Sequence, residues 1–140
     1  MIQVFSKTIL QASIETAWQV ISDFGAACNY LVMVVNCTVE GAGVGALHSL
    51  TSTDGSTIVE RLVIIDEAIC RLSYSLLTDT PFRDCLTNIS VDDKGGGWSE
   101  VAWSATFEAD GIPASEAQDL FASALAANCL ALKQFLEQGN

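Results

Sequence analysis

From Trp98 to Glu108 apolar and polar positions alternate: Val101, Trp103, Ala105 and Phe107 on one side, Glu100, Ala102, Ser104, Thr106 and Glu108 on the other. Successive side chains of a strand leave on opposite faces, so this pattern predicts a strand with the first set turned inward. The same period-two rule gathers Leu72, Tyr74 and Leu76 on one face of a strand over Cys70–Leu77, and Cys85, Thr87, Ile89 and Val91 on one face of a strand over Cys85–Val91. Further strands are expected over Ile2–Leu10, Val34–Glu40, Ala46–Thr53 and Thr57–Ile65. Turn residues separate them: Gly41-Ala42-Gly43-Val44-Gly45, Asp54-Gly55, Asp66-Glu67, and the run Asp92–Gly97. The glycine run has no following Lys-Ser/Thr and opens no helix, so it reads as a tight turn and not a phosphate loop.

Three segments change period. Ala12–Ile21 carries Ile14, Ala17, Trp18 and Ile21 at helical spacing, with Ser13 as the N-cap candidate. Asp23-Phe24-Gly25 breaks that helix, and Ala26–Val32 predicts a second short one, ending near Asn29-Tyr30. Ser115–Glu137 predicts a long terminal helix, Ser115 its N-cap, with Glu116 and Asp119 at the positive end of the dipole. One face of it reads Leu120, Ala124, Asn128, Ala131, Phe135. A helix that closes a solid core fills such a face with Leu, Ile and Phe. Small residues and an amide there suggest a helix laid over a hollow interior. The element order, a strand, two short helices, six strands and a long helix, gives an α+β fold: an antiparallel meander curved around the terminal helix.

Strand Thr57–Ile65 leaves its orientation open. Ile58, Glu60, Leu62 and Ile64 share one face, Val59, Arg61, Val63 and Ile65 the other. If the first is inward, Glu60 is a buried carboxylate, which costs several kcal/mol unless paired or used. The alternative is an exposed Glu60 with Arg61 inside.

The chain of 140 residues, half of them hydrophobic, is expected to be one domain over residues 1–140. No apolar run reaches the ~18 residues of a membrane helix. The first residues do not read as a signal peptide, so the expected location is cytoplasmic. The five cysteines, Cys28, Cys37, Cys70, Cys85 and Cys129, contain no CxxC pair, and His48 is the single histidine. Neither a disulfide framework nor a metal site is indicated, and no cofactor is expected. A net charge of −11 with six Lys plus Arg would repel phosphate backbones and anionic lipid surfaces, which excludes nucleic acid as a partner.

The strand order, the turn Gly43-Val44-Gly45-Ala46-Leu47-His48 and the segment Val59-Glu60-Arg61-Leu62-Val63-Ile64-Ile65-Asp66 resemble the START-related polyketide cyclase/dehydrase superfamily over nearly the whole chain. The Glu-Arg-Leu strand with its Asp turn, and Leu72-Ser73-Tyr74-Ser75-Leu76, also look like the plant abscisic acid receptors. The resemblance implies a helix-grip fold: a bent seven-stranded antiparallel sheet around the C-terminal helix, two short helices after strand one, and a hydrophobic cavity between. It implies that Glu60 is a pocket glutamate, that Tyr74 and Leu76 are pocket positions, that Thr87 supplies a hydroxyl and Asn128 an amide. His48 stands where an arginine is common. Two features depart from the receptors: Leu31 stands near their ligand-pairing lysine, and Thr51-Ser52-Thr53-Asp54-Gly55 replaces their proline-containing gate loop. A neutral or weakly polar ligand fits better than a carboxylate hormone.

Three functions follow. The leading one is binding of a small hydrophobic, ring-containing or lipid-like molecule, with Glu60, Tyr74, Leu76, Thr87, Trp103, Ala124 and Asn128 as candidate contacts. The alternative is a cyclase or aromatase in the same cavity, with Glu60 and His48 as the one plausible acid/base pair. The third is a partner-binding module with a filled core. The oligomeric state is not legible in the sequence.

Overall fold

A computed structural model describes residues 1–31, 34–78 and 80–138. Strands β1 (Ile2–Leu10), β2 (Val34–Glu40), β3 (Leu47–Ser52), β4 (Thr57–Asp66), β5 (Arg71–Leu76), β6 (Phe82–Gly95) and β7 (Trp98–Ala109) form one sheet. Its order is β1-β7-β6-β5-β4-β3-β2, every neighbour antiparallel. The meander runs from β2 to β7, and β1 closes beside β7. Helix α1 (Ile14–Ser22), a 3₁₀ segment (Phe24–Asn29) and helix α2 (Ala114–Gln138) complete the chain. The expected end of the second short helix at Val32 lies outside the described residues.

Sequence patterning explains most of these elements. Val101, Trp103, Ala105 and Phe107 are all buried, as are Cys85, Thr87, Ile89 and Val91 on the neighbouring strand. Ser13 caps α1 by accepting from the Thr16 backbone N–H, and its hydroxyl also meets that of Thr16. Ala17, Trp18 and Ile21 bury the stripe expected of them. Gly41, Gly43 and Gly45 all have positive φ, the conformation a tight turn requires. Beyond that turn the Gly45 N–H bonds the Leu62 carbonyl at 2.8 Å and starts the β3–β4 ladder.

Four expectations are corrected. The run Asp92–Gly97 is not all turn: β6 and β7 continue pairing to Gly95 and Trp98, because a long hairpin can extend beyond the core. Ser115 lies inside α2, which begins at Ala114, and is not its N-cap. A β-bulge after Leu62 shifts the β4 register, so Ile64 pairs with Ser73 and Ile65 with Leu72. Ile65 therefore packs on the core while Ile64 is exposed, the reverse of strict alternation.

The largest correction concerns α2. Its packed face is Ala117, Phe121, Leu125, Cys129, Leu132 and Leu136, laid against β1 and β7. Four of these six are large, and burying them removes more apolar surface from water than burying alanines would. The face expected inward lies to one side: Leu120, Ala124 and Phe135 are exposed, Asn128 is half-buried, and Ala131 is buried. Phe82, Phe107 and Phe121 pin the start of the helix, with ring centroids 4.9 to 5.2 Å apart. At the far end Lys133 Nζ donates to the Ile9 carbonyl at 3.1 Å and to Glu137 at 2.6 Å, and the Gln11 N–H donates to Glu137 at 3.1 Å.

Candidate functional site

The inner face of the sheet carries a short run of polar side chains, set there by cross-strand register. On β3 and β4 His48 stands directly opposite Glu60. Directly opposed side chains on one face are within contact range, and His48 Nε2 lies 2.7 Å from Glu60 Oε1. Arg61 is on the outer, exposed face, which settles the orientation of β4 around this point. The His48 side chain is 4% exposed and that of Glu60 14%. A buried carboxylate needs a partner, and the imidazole supplies one.

Two tyrosines and a tryptophan adjoin the pair. Tyr74 on β5 stands opposite Leu62, and its ring centroid is 6.0 Å from that of His48. The Trp103 indole N–H on β7 donates to the Tyr74 hydroxyl at 3.2 Å. Tyr30, following the 3₁₀ segment, meets Trp103 edge to face at 6.3 Å. Burial pushes both phenols well above their ordinary range, and the Glu60 carboxylate adds to the effect at each; at Tyr30 the Cys37 thiol contributes as well. Both phenols are thus held neutral.

These residues enclose a cavity lined by Ile21, Tyr30, Leu31, His48, Glu60 and Tyr74, with Leu72, Ile89, Trp103 and Ala27 completing the wall. Its volume is about 20 Å³, room for roughly one water. Among the described residues, this space does not extend beneath Ala124 and Asn128 of α2, where a hollow was expected. Leu31 and Tyr30 close the space from one side and the aromatic rings from the other.

The candidate residues divide accordingly. Glu60, His48, Tyr74 and Trp103 come together at the cavity. Thr87 is buried on the same face, opposite Tyr74, with Cys85 Sγ 3.9 Å from its hydroxyl, but is not in the lining. Leu76 is half-buried opposite Glu60. Ala124 is at the surface and Asn128 half-buried on α2, and neither reaches the cavity. Sequence reasoning missed Tyr30. The available signal was composition: the chain has two tyrosines and one histidine, and all three line this space. Among the described residues no group of three or more His, Cys, Asp and Glu side chains is placed to hold a metal ion.

A bent antiparallel sheet, a long C-terminal helix packed on it and two short helical segments after the first strand define the helix-grip fold of the START-related superfamily. The chain belongs to the family described as polyketide cyclase / dehydrase and lipid transport, whose model matches residues 1–138. Similar solved structures include an uncharacterised protein from Bacillus thuringiensis, 24% identical, covering 97% of this chain and 99% of that one at a TM-score of 0.90. The protein XoxI from Bacillus cereus is 26% identical and covers 100% and 99% at 0.90. A START superfamily protein from Mycobacterium smegmatis is 18% identical and covers 99% of each chain at 0.84. No curated protein matches the sequence. No described helix is long and apolar enough to cross a membrane.

Proposed function

We propose that the protein binds a small, neutral, hydrophobic molecule, ring-containing or lipid-like, between the inner face of the sheet and the 3₁₀ segment. The observation that carries this is the convergence of Glu60, His48, Tyr30 and Tyr74 on one point of an otherwise apolar cavity lining. Binding sites combine large apolar area for affinity with a few polar groups for orientation. The description of the family, which names lipid transport, supports the same reading. The ligand's polar end meets the Glu60–His48 pair and the two phenols, and its apolar body lies against Trp103, Leu72 and Ile89.

A space of about 20 Å³ holds no such ligand. The wall that yields is the 3₁₀ segment, a short element bearing Ala27 and leading into Tyr30 and Leu31. Outward displacement of Tyr30 and Leu31 joins the cavity to the mouth between that segment and α2, where Phe135 now stands 6.3 Å from Tyr30. An enlarged space extends along the inner face toward Leu76 and Thr87. The ligand thus selects an open conformation, and its apparent affinity is reduced by the rarity of that state.

A second reading is favoured by one contact. The 2.7 Å His48–Glu60 pair beside two phenol donors is an arrangement able to take a proton from carbon next to a carbonyl while a phenol holds the oxygen. That is the chemistry of a cyclase or dehydrase, the other activity in the family's description.

Native mass spectrometry of the freshly purified protein tests the first reading. A copurifying neutral molecule, lost on substitution Tyr74→Ala, is the expected result. An empty protein that no neutral aromatic or lipid-like compound stabilises against heat overturns it. Turnover of a poly-β-carbonyl compound that Glu60→Gln abolishes would establish the second reading.

A further inference from the structure

A second recess, an open groove of about 430 Å³, lies between α1 and the turn from β4 to β5. Among the described residues it shares no lining side chain with the inner cavity, and the function proposed above does not use it. Small-molecule sites occupy about 300–1,000 Å³, and the groove falls in that range. Ile14, Glu15 and Trp18 present one face of α1 to it. Glu67 and Cys70 line it from the turn.

One contact organises the groove. The Trp18 indole N–H donates to Glu67 Oε2 at 2.5 Å, and Trp18 is 7% exposed. That bond orients the Glu67 carboxylate, which as an acceptor of several hydrogen bonds keeps capacity for a further donor. The turn carrying Glu67 is itself held. The Ala68 N–H donates to the Asp66 carboxylate at 3.0 Å, and Cys70, at φ 51°, brings its thiol to 3.8 Å from the Glu67 carbonyl. Glu15 supplies a second carboxylate. The ion pairs of the described residues engage Glu60, Glu100, Glu108 and Glu137, and neither Glu15 nor Glu67. Among the described residues no Lys or Arg lines the groove. Two negative charges therefore share it with an indole and an isoleucine and meet no cation.

Charge and surface together narrow the occupant. An anion is repelled, and a neutral molecule leaves both carboxylates unused. Calcium and magnesium take about six oxygen ligands or more, and among the described residues no three His, Cys, Asp or Glu side chains are placed to hold a metal ion. An organic ammonium ion needs only a carboxylate for its head and an apolar wall for its body. We propose that the groove binds a small organic ammonium ion, its head at Glu67 and Glu15 and its apolar body against Trp18 and Ile14. This site is independent of the inner cavity and of the function proposed for it.

Titration of the ¹⁵N-labelled protein with benzylammonium, benzyl alcohol and benzoate at neutral pH tests the site. The chain has three tryptophans, Trp18, Trp98 and Trp103, and their sequentially assigned indole N–H signals report separate places: Trp18 the groove, Trp103 the inner cavity. Benzylammonium is expected to move the Trp18 signal saturably, less so at high salt, and to leave Trp103 in place. Glu67→Gln, which keeps an oxygen for the Trp18 indole, weakens this binding about tenfold, the loss of a hydrogen bond to a charged group. Glu15→Gln weakens it a few-fold, as for an exposed ion pair. A Trp18 signal that benzylammonium does not move, or that benzyl alcohol or benzoate moves as far, overturns the inference. So does unchanged affinity in Glu67→Gln. A shift at Trp103 with Trp18 unmoved also overturns it, and would count against the neutral ligand proposed for the inner cavity. A shift at Trp18 alone leaves that cavity's function to its own test.

Discussion

Glu60 and His48 meet at the centre of the proposed site, and each constrains the other. Glu60→Ala removes the carboxylate from beside a buried imidazole, and leaving buried polar groups short of a partner costs about 1–3 kcal/mol. Urea unfolding of that variant is expected to show a loss of this size, and Glu60→Gln, which retains a hydrogen-bonding oxygen, a smaller one. Equal losses would mean that the pair contributes through charge. The phenols give a pH signature. Both have folded pKa values raised above the ordinary value near 10, mainly by burial. Their contribution to stability is then fully present below the unfolded value of about 10 and is lost as pH rises toward the folded one, because the unfolded chain releases these protons first. Thermal melts across this window are expected to show a steeper fall of Tm for wild type than for Tyr30→Phe or Tyr74→Phe. Parallel slopes would place both hydroxyls in water. How much of this was legible is itself a matter of register. Periodicity offered Glu60 inward or Arg61 inward, and resemblance to a family favoured the first. A two-residue turn at Asp54-Gly55 would have set His48 opposite Arg61. The wider turn that forms, with the Ser52 N–H bonded to the Ser56 carbonyl, sets it opposite Glu60. One residue of turn length decides whether the dyad exists, and composition does not encode it.

At the scale of elements, strands were read closely and the long helix was misread for a physical reason. β7 alternates cleanly because one face is core and the other is water, and all four of its inward residues are buried. Trp103 is 1% exposed and donates a hydrogen bond as well. Trp103→Ala is therefore expected to cost about 3–5 kcal/mol in urea unfolding; a loss near 1 kcal/mol would reveal open space beside the ring. α2 carries two adjoining apolar stripes, one of Phe and Leu and one richer in alanine. Helical spacing alone does not say which meets the sheet, but apolar area does. Substitutions separate the two faces. Ala124→Trp is expected within about 0.5 kcal/mol of wild type, as at an ordinary surface site. Cys129→Trp should cost about 1–3 kcal/mol or more by overpacking. Comparable losses at the two positions would return the alanine stripe to the interior. The bulge in β4 is a second case: after Leu62 the alternation breaks, and a strand with apolar residues on both faces conceals the break.

At the scale of the whole molecule, charge bears on which ligand the proposed binding function would accept. The chain carries a net charge of −11, and among the described residues the cavity lining contains Glu60 and His48 but no Lys or Arg. Leu31 contributes an apolar surface to that lining. A ligand carboxylate placed about 4 Å from the Glu60 carboxylate meets a repulsion of about 4 kcal/mol at an effective dielectric of 20. That is close to a thousandfold in affinity. It outweighs the roughly 0.8 kcal/mol that one additional buried methylene supplies. A neutral aromatic alcohol can donate to Glu60 and accept from a phenol without that penalty. Thermal shift measurements with an alcohol and a carboxylate on the same ring skeleton are expected to separate them. The alcohol at a hundred times its dissociation constant stabilises by about 2.7 kcal/mol, roughly a 5–10 °C rise in Tm for a chain of this size. The carboxylate should give little or none at neutral pH. A larger shift with the carboxylate would mean that a cation moves into the interior on binding, and the orientation proposed for the ligand would have to be reversed.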